Sequence, residues 1–212
     1  MNSSFVITID GPAASGKSSV AREVARRLVV PFVSSGQLYR GHAWLVREAG
    51  LTEAGEAEVL AELERHEVGL KPGLHGNLLM LDGTARYAEL HTDEIHPPVS
   101  RTASFPSVRE WANRRLRELT GSFVGEGRDM GTAVFPSARF KFWLDAPVEV
   151  RAARRQGERQ AGLEILTEQL ARRDRLDARQ LVPAADALSI DTGSLDVAGV
   201  ADIIMGRVQE EL

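Results

Sequence analysis

The sequence predicts a three-layer α/β fold, in which helices cover both faces of a parallel central sheet. Residues 5–9 form an apolar, β-branched run that ends at a glycine-containing loop, which is the pattern of a buried parallel strand. Residues 17–28 follow this loop with apolar side chains at helical spacing. Strand-like and helix-like segments then alternate along most of the 212 residues, as they do when helices connect parallel strands. We expect a single domain over residues 1–212.

The other elements are predicted from the same two patterns, apolar strand-like runs and apolar side chains at helical spacing. A short strand at residues 31–33 is predicted to lead into a helix from about residue 37 to residue 48. Thr52 is expected to cap a further helix that continues through Arg65. The later elements, in order, are a helix at 108–119, strands at 122–124, 140–145 and 187–190, and a helix at 196–208.

The character of the sequence changes between about residues 66 and 98. Residues 78–81 and 84–87 are strand-like, and Asp82-Gly83 between them is a hairpin turn signal. We therefore predict a small antiparallel insertion that is separate from the main sheet.

Composition excludes several classes of protein. The chain has 23 arginines, three lysines and no cysteine, and 30 acidic residues give it a formal net charge of −4. Without cysteine there are no disulfides or thiolate metal sites, so a cytoplasmic enzyme is the default expectation. The acidic balance disfavours a nucleic-acid partner, and no uncharged run is long enough to cross a membrane. The excess of arginine indicates either codon bias or arginines placed to bind phosphate and carboxylate groups.

Residues 11–18 match the phosphate-binding pattern G-x-x-x-x-G-K-[ST] at every required position. The motif follows a strand and opens a helix, so backbone N–H groups and the helix N-terminus can surround phosphate oxygens. Lys17 is expected to reach the β- and γ-phosphates, and the Ser18 hydroxyl to ligate Mg²⁺. ATP is the expected donor because the sequence has no N-K-x-D guanine motif. The residues expected to bind ATP here are Gly11, Pro12, Ala13, Ala14, Ser15, Gly16, Lys17, Ser18 and Ser19.

Further motifs carry a resemblance to a known family. Residues 35–40, Ser-Gly-Gln-Leu-Tyr-Arg, by themselves favour a capped helix with a solvated arginine over a second phosphate site. Residues 127–132, Gly-Arg-Asp-Met-Gly-Thr, lie at the C-terminal end of a predicted strand, where α/β proteins bind ligands. Together with residues 105–110 and 173–177, they make nearly the whole chain resemble the bacterial cytidylate kinases, which are nucleoside monophosphate kinases.

The resemblance implies a P-loop kinase fold and a reaction. Residues 35–120 would bind the monophosphate, with the insertion at about 66–98, and residues of about 150–180 would form a helical lid. The expected reaction transfers the γ-phosphoryl group of ATP to CMP or dCMP, with Mg²⁺, in a monomer. No general base is needed, because the second pKa of the acceptor phosphate is about 6.

The resemblance also assigns roles to single residues. The catalytic cations would be Lys17, Arg128 and Arg173. The acceptor nucleotide would be bound by Ser35, Arg40, Ser100, Arg109, Arg128, Asp129, Arg173, Asp177 and Arg179. The lid over ATP would carry Arg151, Arg154, Arg155 and Arg159, of which Arg154 is expected to bind ATP. One assignment has independent chemical support, because the carboxylate of Asp129 could accept from the amine of cytosine and would repel the carbonyl of uracil.

Three positions depart from the family's pattern. Ser34 stands where the family usually has Asp, and His91 stands where it usually has Arg. Arg179 follows Asp177 by two residues, where the family's arginine follows by three.

Two alternatives stay open at this point. One is another small-molecule kinase on the same scaffold, acting on UMP, AMP or a non-nucleotide acceptor. The other is a nucleotide-dependent switch without catalytic activity. Asp10 is expected to support the phosphate loop rather than to act as a base.

Overall fold

The computed structural model describes residues 4–74, 76–91, 99, 101–157 and 161–211. Within them, the strands are β1 Val6–Asp10, β2 Phe32–Ser34, β3 Val68–Lys71, β4 Leu78–Leu81, β5 Thr84–Arg86, β6 Phe123–Gly127, β7 Phe140–Asp145 and β8 Leu188–Asp191. The α-helices are α1 Lys17–Leu28, α2 Ser35–Glu48, α3 Glu56–Leu63, α4 Pro106–Arg117, α5 Val148–Gln156, α6 Leu163–Leu176 and α7 Val197–Gln209. A 3₁₀ helix covers Ala88–His91 and a π-helical turn covers Met130–Val134.

The central sheet is parallel throughout, with the strand order β2-β6-β1-β7-β8. β1 lies in the middle and pairs with β6 on one side and β7 on the other, so that Asp10 is aligned with Gly127 and with Trp143. Because the strands share one direction, the loops that follow β1, β2 and β6 meet at the same edge of the sheet. This edge carries the phosphate-binding motif of residues 11–18 and the Gly-Arg-Asp motif of residues 127–132.

Two apolar clusters hold the helices on the sheet. In one, α1 and α7 pack on β1 and β7 through buried side chains that include Val24, Ile204, Ile9 and Phe142. In the other, α2, α3 and α4 pack with the insertion around the fully buried Trp111. Burial of an aliphatic or phenyl side chain, such as that of Val24 or Phe142, contributes about 1.5–3 kcal/mol to the stability of the fold. The predicted α/β class with a parallel central sheet is confirmed.

The antiparallel insertion is also confirmed, with the strand order β3-β4-β5. The β4–β5 hairpin turns at Asp82 and Gly83, whose φ values of 48° and 76° are the pair of left-handed conformations that a two-residue hairpin loop requires. The sequence does not predict β3, because its four residues include Gly69 and show no clear alternation. Residues 75 and 92–98 of the predicted stretch lie outside the described residues.

The predicted bounds of α1 and β7 match the structure, but the helix predicted from Thr52 is wrong at its start. α3 begins at Glu56, and the N–H of the preceding Gly55 donates to Oε2 of Glu58 at 3.1 Å. Residues 51–54 form a turn instead, in which the Ala54 N–H donates to the Leu51 carbonyl at 3.0 Å. The glutamate that reaches back to the residue before the helix therefore sets the start, and the threonine hydroxyl does not.

Candidate active site

The phosphate loop is the segment between β1 and α1. Gly11 has a φ of 153°, and a Cβ atom there would lie 2.1 Å from the carbonyl oxygen of Leu144 in β7. The first glycine of the motif is therefore required by the close approach of a neighbouring strand. α1 begins directly at Lys17, so its free N–H groups face the space enclosed by the loop.

Lys17 is a buried cation, and no carboxylate of the described residues lies within hydrogen-bond range of it. Its side chain is 6% exposed, and Nζ donates to the carbonyl of Pro12 at 2.9 Å. Burial and the nearby Arg128 lower the pKa of Lys17 to about 7. An anion bound in the loop would remove this penalty, so the loop favours a ligand such as a phosphate.

A central cleft opens between the phosphate loop, α2, α4, the residues after β6, and α6. Among the described residues that line it, the cations are Lys17, Arg40, Arg109, Arg128, Arg155 and Arg173. The acids that line it are Glu126, Asp129 and Asp177. The excess of positive charge in a concave, partly desolvated site favours anionic ligands.

Two of these arginines converge on one carboxylate. Nε of Arg128 lies 3.2 Å from Oδ2 of Asp177, and Nε of Arg173 lies 3.7 Å from the same oxygen. Burial and the charge of Arg128 lower the pKa of Arg173 to about 10. Burial also lowers the pKa of Arg40, which faces the cleft from α2. One carboxylate thus holds two cations that would otherwise repel each other, and a phosphate could take its place.

A second ion pair forms the far side of the cleft. Arg109 of α4 donates to Oδ2 of Asp129 at 2.5 Å, and its guanidinium lies 5.5 Å from the ring centroid of Tyr39. Ser35 is buried next to Gly127, where a Cβ atom would lie 2.8 Å from the Ser35 hydroxyl oxygen. These side chains offer a donor, an acceptor and a hydroxyl to a planar, hydrogen-bonding ligand.

Asp10 has a different role from the one predicted. Its carboxylate accepts from the N–H groups of Met130 and Gly131 at 2.9 and 2.8 Å. Burial raises the pKa of this side chain to about 7. The residue therefore anchors the segment that follows Arg128 and Asp129, whereas its place in the sequence predicts that it supports the phosphate loop.

A side cleft continues from the phosphate loop toward α7. It is lined by Ser15, Gly16, Lys17, Ser18 and Ser19 of the loop, and by Arg154, Arg155, Thr192, Leu195 and Val200 among others. Arg154 donates to the hydroxyl and the carbonyl of Thr192, and the Thr192 hydroxyl donates to the Ser15 carbonyl. Arg154 is therefore linked to the phosphate loop through the hydrogen bonds of Thr192.

The arginines predicted for the lid separate into different environments. Arg151 is buried and donates to the carbonyl of Ala13 at 3.1 Å and to Asp174 at 2.7 Å, so it braces the phosphate loop. Arg155 lines both clefts, whereas Arg159 lies outside the described residues. α5 and α6 pack on the loop through a small apolar cluster around Ala13 and Leu170.

Most of the predicted acceptor residues come together in the central cleft: Ser35, Arg40, Arg109, Arg128, Asp129, Arg173 and Asp177. Arg179 is exposed and is not among the residues that line either cleft, and Ser100 lies outside the described residues. Tyr39 and Glu126 also line the cleft, and no role was predicted for them from the sequence. Glu126 could have been found, because it is an acid at the C-terminal end of a strand, directly before Gly127-Arg128-Asp129.

Within the described residues, no group of three or more His, Cys, Asp or Glu side chains is arranged to hold a metal ion. In the same residues, no helix is long and apolar enough to cross a membrane.

A phosphate loop that faces an arginine-lined cleft, on a parallel sheet with a separate insertion, is the arrangement of a P-loop kinase of the nucleoside monophosphate kinase class. The family model for cytidylate kinase matches residues 7–210, and the chain belongs to this family. Similar curated proteins include the cytidylate kinase of Thermus thermophilus, 48% identical over 96% of this chain and 98% of that protein. The cytidylate kinase of Deinococcus deserti is 46% identical over 98% of this chain and 100% of that protein.

Solved structures share the fold at low sequence identity. Shikimate kinase from Acinetobacter baumannii is 15% identical, with a TM-score of 0.52 over 98% of this chain and 94% of that chain. The protein TT1252 from Thermus thermophilus is 17% identical, with a TM-score of 0.51 over 99% and 98% of the two chains. These likenesses concern the architecture alone.

Proposed function

We propose that the central cleft transfers the γ-phosphoryl group of ATP to CMP or dCMP. The ATP phosphates would lie on the phosphate loop, with the nucleoside in the side cleft, and the acceptor would lie between α2, α4 and the Arg128–Asp129 segment. The observation that carries this proposal is the convergence of Arg128 and Arg173 on Asp177 in the same cleft as Lys17. Cations from both sides thereby face the place where two phosphate groups would meet.

The reaction needs positioning and neutralisation of charge more than proton transfer. A monophosphate is largely ionised at neutral pH, since its second pKa is about 6, so its oxygen can attack without a base. Lys17, Arg128 and Arg173 would stabilise the charge that spreads over the transferring group. With both nucleotides bound, Arg128 and Arg173 would contact phosphate oxygens in place of Asp177. The Asp177 carboxylate would then accept hydrogen bonds from ribose hydroxyls.

Recognition of cytosine would rest on Asp129, Arg109 and Ser35. A carboxylate can accept from the exocyclic amine, and the guanidinium and hydroxyl can donate to the acceptor edge of the base. Arg109 already holds the Asp129 carboxylate at 2.5 Å, so this edge is organised before the nucleotide arrives. Uracil would leave the carboxylate opposite a carbonyl oxygen, which is the kind of mismatch that hydrogen-bonding sites reject strongly.

The cleft also offers a fitting environment for Mg²⁺. Ser18 and Glu126 line it together, and Mg²⁺ typically combines a few protein oxygens with phosphate oxygens and water. When bound, the ion would neutralise charge on the β- and γ-phosphates. Ser18 and Glu126 would hold it, while Arg155 and the α5–α6 region would help to exclude water. All of these residues belong to one chain, so we propose that a monomer suffices.

A panel of acceptors tests this function. ADP release is measured with ATP and Mg²⁺ in the presence of CMP, dCMP, UMP, AMP or no acceptor. We expect kcat/KM to be highest for CMP and dCMP, and the rate without an acceptor to be small. Equal use of all monophosphates would contradict the cytosine assignment. ATP binding without turnover on any of them would indicate a nucleotide-dependent switch.

A further inference from the structure

The outer edge of β2 is the place where the insertion meets the central sheet. β2 is an edge strand, and the groups on its free side need partners when they are covered. The Phe32 N–H donates to the carbonyl of Gly73 at 3.0 Å, so the chain that leads into β4 continues the sheet at this point. Two residues further along β2, at Ser34, the backbone groups have a side chain as their partner.

That side chain is Asn77, which is only 3% exposed. Its Oδ1 accepts from the Ser34 N–H at 2.7 Å, and its Nδ2 donates to the Ser34 carbonyl at 3.3 Å. The amide of one side chain thus satisfies both backbone groups of Ser34, as a neighbouring strand would do. Such a two-point contact fixes the position as well as the distance of the backbone.

Ser34 is the residue from which α2 begins, and α2 carries Ser35 and Arg40 into the central cleft. On its inner side, the Ser34 hydroxyl donates to Glu126, which also lines the cleft. The start of α2 is therefore held from inside by Glu126 and from outside by Asn77.

We propose that Asn77 is a positioning residue for the acceptor pocket, acting through the backbone of Ser34. Asn77 is not among the residues that line either cleft, whereas Ser34 lines the central cleft. Its loss would let the start of α2 move relative to Asp129 and Arg109, which lie on other elements. The acceptor would then bind more weakly, whereas the phosphate loop, which is built on β1 and α1, would keep its shape. The proposal rests on the function proposed above.

The test compares Asn77→Ala and Asn77→Asp with the wild-type enzyme by steady-state kinetics. Alanine leaves both Ser34 groups without a partner, whereas aspartate keeps an acceptor for the N–H but loses the donor to the carbonyl. Aspartate also sets a buried carboxylate oxygen against the Ser34 carbonyl, so we expect KM for CMP to rise about tenfold or more in both variants, with KM for ATP changed by less than about twofold. Should Asn77→Ala be insoluble, Asn77→Asp alone carries the test.

Val68→Ala is the matched control, because it removes a buried contact from the same small sheet without touching Ser34. It should lower the melting temperature and leave both KM values unchanged. An unchanged KM for CMP in the Asn77 variants, or an equal rise for CMP and ATP, would overturn the proposal. Failure of the proposed function would instead appear in the wild-type enzyme, as the absence of a preference for CMP or dCMP.

Discussion

In the proposed site, the donor half is one continuous segment, residues 11–19, whose members are divided between the two clefts, whereas the acceptor half takes side chains from α2, α4, α6 and the residues after β6. The donor half would bind phosphate largely through backbone N–H groups at the start of a helix. The acceptor half relies on charged side chains that hold one another in pairs, as Arg109 does with Asp129 and Arg128 does with Asp177. Substitutions in the acceptor half should therefore affect acceptor binding or the transfer step more than ATP binding, because these side chains lie outside residues 11–19.

The largest effect is expected from Arg128→Ala. An arginine at a phosphoryl transition state is worth about 10³- to 10⁵-fold in rate, so we expect kcat to fall by about 10³-fold or more. The pair with Asp177 is partly exposed, and such pairs contribute about 0–1 kcal/mol to the free energy of unfolding. A thermal melt should accordingly shift by no more than about 4 °C.

Arg172→Ala serves as the control for this variant, since Arg172 is exposed on α6 next to Arg173 and is not among the residues that line either cleft. It should keep wild-type turnover. Wild-type-like turnover in Arg128→Ala would refute the role of Arg128 in the clamp.

A smaller and more selective effect is expected from Asp129→Asn. The amide places N–H groups where the carboxylate accepts from Arg109 and, by proposal, from the cytosine amine. We expect kcat/KM for CMP to fall by about 10- to 100-fold, with ATP affinity unchanged, as measured by steady-state kinetics and titration calorimetry. The control is Asp186→Asn, which alters an exposed carboxylate paired with Lys141. An equal loss of CMP use and ATP binding would mean that Asp129 is structural.

The same contrast explains which features could be predicted from the sequence. β1, the phosphate loop and α1 are adjacent in the chain, so the motif and two short periodicities were enough to predict them, including the bounds of α1. Arg128 and Asp177 are 49 residues apart, and no local pattern indicates that they meet. For the acceptor pocket, only the resemblance to a family supplied the partners.

Contacts between residues of different elements are the hardest to predict from the sequence. Asp10 is next to the phosphate loop in sequence, but the pairing of β1 with β6 points its carboxylate at Met130 and Gly131. Arg151 belongs to the arginine-rich segment predicted as a lid, but it is buried against Ala13. Asn77 gave no signal at all, because its partner is the backbone of a strand 43 residues earlier.

The smallest expected effect tests the donor half, through the proton on Lys17. Its pKa of about 7 in the free protein means that the side chain is mostly neutral at pH 8, whereas an ordinary lysine is charged there. ATP phosphates next to Nζ favour the charged form, so binding should raise this pKa and take up a proton. We expect an uptake of up to about 0.9 protons per ATP at pH 8, and an ATP affinity that falls as the pH rises above 7.

Titration calorimetry in buffers of different ionisation enthalpy measures this uptake, with Lys17→Met as the comparison. Asp10 also has a pKa of about 7, but its carboxylate faces Met130 and Gly131 and is present in both proteins. The difference between the two proteins measures the uptake that depends on Lys17, including the effect of its interaction with Asp10. Equal proton uptake in both would show that Lys17 is already charged in the empty loop, and that the loop binds phosphate through its backbone N–H groups without this change in protonation.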